Sequence, residues 1–195
     1  MDEHRTHIGR RAFLGGMGGA LALASSPVQA GWQAVVDLSP SAPEPVGESR
    51  LHIRCQRTKQ VFDDVFRAGP LIYDDALAEI DHLMRDWRRD EVREIDRRLI
   101  DGLAALQAEA GYDEPIEMIS GYRSEATNRM LRRRGAGAAR RSWHVQGRAV
   151  DIRIPALSTA ELGRRGRALE LGGVGTYAGR RFVHLDTGPQ RSWRG

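Results

Sequence analysis

Leu51, Ile53 and Cys55 alternate with His52 and Arg54, the two-residue period of a half-buried strand. The period then lengthens. Ala76, Leu77, Ile80, Leu83 and Met84 recur at helical spacing behind Asp74 and Asp75, which supply N-cap chemistry. Leu99, Leu103, Leu106 and Ala110 mark one face of a second helix, starting near Asp96 and stopped by Gly111. Glu117–Ile119 reads as the strand that follows. Ser124 then caps a helix running to Arg134, where Gly135, Ala136 and Gly137 end it. Arg148–Ile154 is the most regular alternation in the chain and closes at Pro155. Ser158, with Glu161 three residues on, has the form of a capping box for a fourth helix reaching Leu171. Gly172, Gly173 and Gly175 predict a loop, leading to a final strand at Arg181–Thr187. Helices followed by clustered short strands, without regular alternation of the two, predict an α+β domain: a small antiparallel sheet with helices packed on one face.

Ahead of residue 50 the pattern is different. Arg10 and Arg11 lead into Ala12, Phe13 and Leu14, then a Gly- and Ala-rich apolar run to Ala24, then small residues ending in Val28-Gln29-Ala30. A charged segment, a short apolar segment and a small-residue cleavage site, in that order, predict an export signal over residues 1–30. The paired arginines followed by Phe-Leu resemble the twin-arginine type. The apolar run is too short and too Gly-rich to span about 30 Å of hydrocarbon, so no transmembrane anchor is expected after cleavage. Residues 31–49 carry Pro, Ser and Ala without a period and read as a flexible lead-in, leaving residues 50–195 as the folded domain. The expected destination is the periplasm or cell envelope.

Composition narrows the picture by exclusion. A hydrophobic fraction of 41% and a charged fraction of 29% in 195 residues fit one soluble domain rather than a disordered or membrane-embedded chain. Cys55 is the only cysteine, so no internal disulfide supports the fold, and its alternating surroundings make it a buried side chain. The net charge of +4 comes almost wholly from Arg, since Lys59 is the only lysine. The basic residues are mixed with acidic ones and lack a stripe of stacking aromatics, so no nucleic-acid partner is expected. The densest basic run, Arg132, Arg133, Arg134, Arg140 and Arg141, reads as a solvated helix end and loop. Its functional alternative is attraction to an anionic polymer such as cell wall.

Two histidines stand in chemical company. His144 lies seven residues before Asp151, and His184 lies two before Asp186. In the first of the two strands Val150, Ile152 and Ile154 face one way and Asp151 the other; in the last strand Val183 and Leu185 leave His184 and Asp186 opposite them. If these strands are neighbours with their apolar faces in the core, Asp151, His184 and Asp186 share a polar face. His144 then reaches over that face from the loop before the strand. Two imidazoles and one carboxylate would give Zn²⁺ three ligands and leave the fourth position open, as in catalytic rather than closed structural sites. The bland alternative pairs Asp151 with Arg148 or Arg153 and leaves both histidines as ordinary hydrogen-bonded residues. Spacing alone does not decide between them. His52 and His82 have no such company.

Ser142-x-His144-x-x-Gly147-x-Ala149-x-Asp151, with His184-x-Asp186 downstream and Ser120-Gly121-Tyr122-Arg123-Ser124 and Asn128 upstream, resembles the zinc D-alanyl-D-alanine peptidase superfamily, in particular its exported murein-endopeptidase branch. The likeness takes in the run Gly172–Tyr177 and covers nearly all of residues 50–195. It implies the Hedgehog/DD-peptidase fold and one Zn²⁺ per chain held by His144, Asp151 and His184. It further implies a metallopeptidase that hydrolyses amides in the peptide cross-links of peptidoglycan, with the peptide stems as its partner; a monomer is the separate expectation. Arg123 matches an arginine that holds substrate near the metal, a salt bridge at a helix start being its alternative role, and Ser142 matches a serine that contacts substrate backbone. One position departs. Dipeptidase and carboxypeptidase relatives place an acidic base three residues before the last ligand, where this chain has Arg181, which cannot accept a proton. Asp186 is the nearest replacement, either as catalytic base or as the partner that orients His184. The departure keeps a second function open: a catalytically silent, zinc-containing cell-wall-binding module of the same fold.

Overall fold

The computed structural model describes residues 47–111 and 114–195. The expected export signal at residues 1–30, and residues 31–46 of the expected lead-in, lie outside them. In chain order the elements are β1 (Glu48–Cys55), β2 (Val61–Ala68), β3 (Leu71–Ile72), α1 (Asp74–Leu83), α2 (Arg97–Ala110), β4 (Ile116–Ser120), α3 (Glu125–Arg133), a 3₁₀ turn (Trp143–Gln146), β5 (Ala149–Arg153), α4 (Thr159–Ala168), β6 (Gly173–Tyr177), β7 (Phe182–Asp186) and β8 (Arg191–Arg194). No helix among the described residues is long and apolar enough to cross a membrane.

The class is α+β, with a sheet larger than the small one expected and not purely antiparallel. Eight strands lie in the order β3-β2-β1-β4-β5-β7-β6-β8. The pairs β1/β4 and β6/β8 run parallel and the others antiparallel. Strands β2, β3, β6 and β8 were not expected, and β2 and β6 show why. In β2 the buried residues are Phe62 and Phe66, four apart with exposed Asp63 and Asp64 between them, a spacing that suits a helical turn as well as a strand. In β6 the glycines read as a loop, but they are small because neighbours fill their side-chain space. A Cβ on Gly175 would meet the Trp193 indole at 2.5 Å, and one on Gly173 would meet Asp186 Oδ2 at 2.5 Å.

One face of this sheet is the core. Leu51 and Ile53 of β1, Val150 and Ile152 of β5, and Val183 and Leu185 of β7 bury together with the apolar stripes of α1, α2 and α4. Helix starts follow the sequence signals closely. Asp96 accepts from the Arg98 N–H at 3.0 Å, Ser124 from the Thr127 N–H at 3.2 Å and Ser158 from the Glu161 N–H at 3.1 Å. Two details differ. Tyr73, not an aspartate, occupies the cap position of α1, so Asp74 and Asp75 act from the first turn on the helix dipole. The capping box of α4 is half made, because the Glu161 carboxylate turns to Arg164 and Arg165 instead of back to Ser158.

The sheet's other face carries the polar residues of β5 and β7, and the 3₁₀ turn is anchored beside it. Gly147 ends that turn with φ 69°, a left-handed conformation natural to glycine. Its carbonyl accepts from the Asp96 N–H at 2.9 Å, and a Cβ there would strike the Glu94 carbonyl oxygen at 2.4 Å. The start of α2 and the turn bearing His144 are thus held in backbone contact, which only a residue without a side chain permits.

Candidate metal centre

Strands β5 and β7 pair so that Asp151 lies opposite His184 and Ala149 opposite Asp186. Because side chains alternate, the register that buries Val150, Ile152, Val183 and Leu185 also puts Asp151 and His184 side by side on the other face. His144 arrives from the 3₁₀ turn. Its Nε2 lies 3.2 Å from His184 Nδ1 and 3.3 Å from Asp151 Oδ1, while His184 Nδ1 and Asp151 Oδ1 are 2.9 Å apart.

The outer atoms of both rings decide what the inner ones can do. His144 Nδ1 sits 2.7 Å from the Gly121 carbonyl, which can only accept, so Nδ1 carries the proton and Nε2 a lone pair. His184 Nε2 sits 3.0 Å from Asp186 Oδ2, which likewise accepts, so Nδ1 carries the lone pair. Two imidazole lone pairs and a carboxylate oxygen therefore face one another with no hydrogen between neutral rings. A tetrahedral zinc with bonds of about 2.0–2.1 Å spaces its ligands about 3.3 Å apart, so both the donor types and the separations fit that ion. Among the described residues this is the group of histidines and acids close enough to hold a metal.

Burial and charge bias the set further. His144 and Asp151 are 2% and 6% exposed. Arg123 Nη2 donates to Asp151 Oδ2 at 2.5 Å and its Nε to Ser120 Oγ at 2.8 Å, leaving Asp151 Oδ1 turned to the rings. Burial, then the Arg123 charge, pushes the His144 pKa down to about 4 against the opposing pull of Asp151. Burial works to raise the Asp151 pKa, but His144, His184 and Arg123 outweigh it and hold it well below the usual carboxylate range. At His184 burial disfavours the cation, yet the bonds to Asp151 and Asp186 prevail and raise its pKa.

Asp186 is fully buried behind the His184 ring. Its Oδ1 accepts from the Gly173 and Gly188 N–H groups at 3.1 and 2.9 Å and from Arg191 Nη1 at 3.0 Å; its Oδ2 accepts from Arg191 Nη2 at 2.7 Å as well as from His184. Burial alone would raise its pKa, and these donors lower it instead.

The three inner atoms open onto a groove of about 300 Å³ lined by Arg123, Ser142, Trp143, Tyr177, Phe182 and Trp193, among others. Of these aromatics, Trp143 directly precedes His144 in the chain. Phe182 shares the strand parity of His184 and could have been found that way. Tyr177 and Trp193 lie on β6 and β8, two of the four strands that were not anticipated; Trp193 donates to the Tyr177 hydroxyl at 2.9 Å, and its ring centre lies 5.4 Å from that of His184. Arg181 is exposed, outside the groove, and in a left-handed conformation with φ 56° at the turn before β7. Its carbonyl accepts from Arg153.

This fold and these motifs are those of the zinc D-alanyl-D-alanine peptidase superfamily. Comparison with known proteins narrows the class: the family described as peptidoglycan L,D-endopeptidase MepK matches residues 44–193. The peptidoglycan L,D-endopeptidase MepK of Escherichia coli (strain K12) is 33% identical over 193 residues, covering 99% of this chain and 100% of that protein. A probable peptidoglycan L,D-endopeptidase MepK of Haemophilus influenzae is 40% identical over 120 residues, 61% of this chain and 64% of that protein. The chain belongs to the MepK family.

Two measurements follow from the geometry. Asp186→Asn should weaken zinc affinity about 10- to 100-fold in a chelator competition, because the outer nitrogen of His184 loses its anionic partner; unchanged affinity would contradict that supporting contact. Because the His184 pKa is raised above its ordinary value, the metal-free ring carries on Nδ1, at pH below that raised value, a proton that the metal must displace. Calorimetric titration with zinc, below that raised value, should release about one proton, and release should fall as pH climbs past it. Proton release that is absent at every pH would show that the ring is already neutral.

Proposed function

We propose that the chain is an exported zinc metallopeptidase that hydrolyses amide bonds in the peptide cross-links of peptidoglycan, of the L,D type for which its relatives are named. The observation that carries this reading is the convergence of three lone-pair atoms, at tetrahedral spacing, on an open groove in a member of the MepK family. All three atoms belong to one chain, which supports a monomer as the working unit. Residues 1–30 serve as the twin-arginine-type signal and the residues after them, up to the start of β1 at Glu48 rather than to residue 49, as the lead-in, delivering the domain to the periplasm or cell envelope.

His144, Asp151 and His184 would hold the metal, which when bound supplies Lewis acidity, making water acidic near neutral pH and polarising an amide carbonyl. The residues around them do the positioning. Arg123 neutralises the outer oxygen of Asp151 and lines the groove, and its Nη1, without a protein partner among the described residues, can hold a substrate carbonyl or carboxylate. It thus combines the two roles that the sequence left as alternatives. Ser142 lines the same groove and can meet substrate backbone with its hydroxyl. Asp186 fits the orienting role rather than that of base: His184 stands between it and the groove, and both its oxygens are taken by other donors.

Hydrolysis adds water across the amide, breaks the C–N bond and leaves the proton on the departing amine. Among the described residues lining the groove, Asp151 is the one carboxylate, and it is already engaged by Arg123 and turned to the metal position. That lack of a free acid favours a second reading, the catalytically silent wall-binding module that keeps the metal. A cleavage assay separates the two. The enzyme should release soluble fragments from isolated murein, and a chelator, His144→Ala or His184→Ala should stop release and abolish zinc binding together. Zinc-dependent murein binding without fragments would establish the module; histidine variants that cut as well as the parent would remove the metal mechanism.

A further inference from the structure

Beside the groove lies a surface whose charge the proposed chemistry does not use. Between Ala126 and Gly147 the chain carries Arg129, Arg132, Arg133, Arg134, Arg140 and Arg141 and no acidic residue. Many arginines elsewhere pair with acids, as in Arg50 with Asp63, Arg97 with Asp81, Arg148 with Asp96 and Arg191 with Asp186, while others among the described residues stand singly. In this stretch Arg129 pairs with Glu125 at 3.2 Å, and among the described residues Arg132, Arg133, Arg140 and Arg141 have no acidic partner. All four are exposed. Like charges gathered in this way repel one another, a cost that an arriving anion removes.

The arrangement is held in place rather than left to a loose loop. Asn128, 4% exposed on α3, donates from Nδ2 to the Ala139 carbonyl at 3.0 Å. That bond ties the segment bearing Arg140 and Arg141 to the helix bearing Arg129 and Arg132. Two depressions result, each sharing lining residues with the metal groove. One of about 490 Å³, lined by Arg129, Arg132 and Arg140 together with Glu125, whose charge Arg129 meets, shares Arg141 and Ser142 with the groove. The other, of about 580 Å³, is lined by Arg129, Arg132 and Arg133 and shares Gly137 and Ala138 with it.

We propose that this arginine-lined trough is a second binding subsite, which takes a carboxylate-bearing arm of the peptide substrate while the scissile amide lies in the metal groove. The inference rests on the murein reading and adds to it what holds the rest of the substrate. A cross-link joins two acidic peptide stems, and only one amide can lie at the metal, so the remaining stem must leave the groove along a neighbouring surface. Guanidinium forks match carboxylates two bonds at a time, which gives recognition as well as attraction. Sharing Arg141 and Ser142 with the groove favours a substrate arm over a membrane surface or a nucleic acid, whose binding would need no connection to the metal site.

The test is calorimetric binding of a synthetic murein tetrapeptide with its carboxylates free, beside the same peptide with them amidated, to the zinc-loaded protein. The parent should prefer the acidic peptide, and more so at low salt. Arg132→Gln combined with Arg140→Gln should weaken the acidic peptide about tenfold and leave the amidated one unchanged. Arg167→Gln on α4, which removes an exposed arginine elsewhere, should change neither. Equal binding of the two peptides by the parent, or unchanged binding in the double variant, overturns the subsite. Tighter binding of anionic vesicles or DNA than of the peptide, lost in the same variant, also overturns it. Binding is read without cleavage, so a parent that binds the acidic peptide through the trough but cuts no murein keeps the subsite and removes the proposed activity.

Discussion

The register between β5 and β7 is the constraint on which the rest of the site depends. With Asp151 opposite His184, both residues leave the core together, and Val150, Ile152, Val183 and Leu185 enter it together. A slip of one residue would exchange the two sets, burying a carboxylate and an imidazole among apolar side chains and exposing the core to water. The apolar residues therefore specify where the polar pair stands. Core packing and site construction are one event in this sheet, and the helices on the core face stabilise the chemistry on the other.

The pair alone would make an ordinary hydrogen bond. What changes its character is the fixing of each ring from outside, His144 by the Gly121 carbonyl and His184 by Asp186. Both partners accept, so both rings must turn lone pairs inward, towards an anion that Arg123 holds from its far side. A proton on His184 or a divalent cation relieves the conflict, and three converging donors favour the cation. The supports reach well beyond the centre: Arg191 and two backbone N–H groups hold Asp186, and the left-handed Gly147 lets the His144 turn rest on the start of α2.

Much of this was legible in the chain. The strict alternation at Arg148–Ile154 and around His184 carries strand parity in plain form, and parity is what brings Asp151 and His184 to one face. Caps at Asp96, Ser124 and Ser158 are local signals, satisfied by residues two or three positions away, and they too were readable. The edge of the sheet was less so. Strand β6 is written in glycines because Trp193 and Asp186 occupy the space beside it, and that reason lies in residues ten or more positions downstream. The same distance hid Tyr177 and Trp193 as groove walls. The environment of Asp186 depends on Arg191 and Gly173, which no spacing rule connects to it, so base and support stayed equal until its bonds were in view.

The central claim is that this chain holds zinc in a three-ligand site open on one side. X-ray absorption at the zinc edge, on protein loaded with one equivalent, tests it most directly. The account predicts a four-coordinate ion with nitrogen and oxygen neighbours at about 2.0–2.1 Å and the outer-shell scattering of two imidazoles. A six-coordinate ion, or a spectrum without histidine scattering, would contradict it.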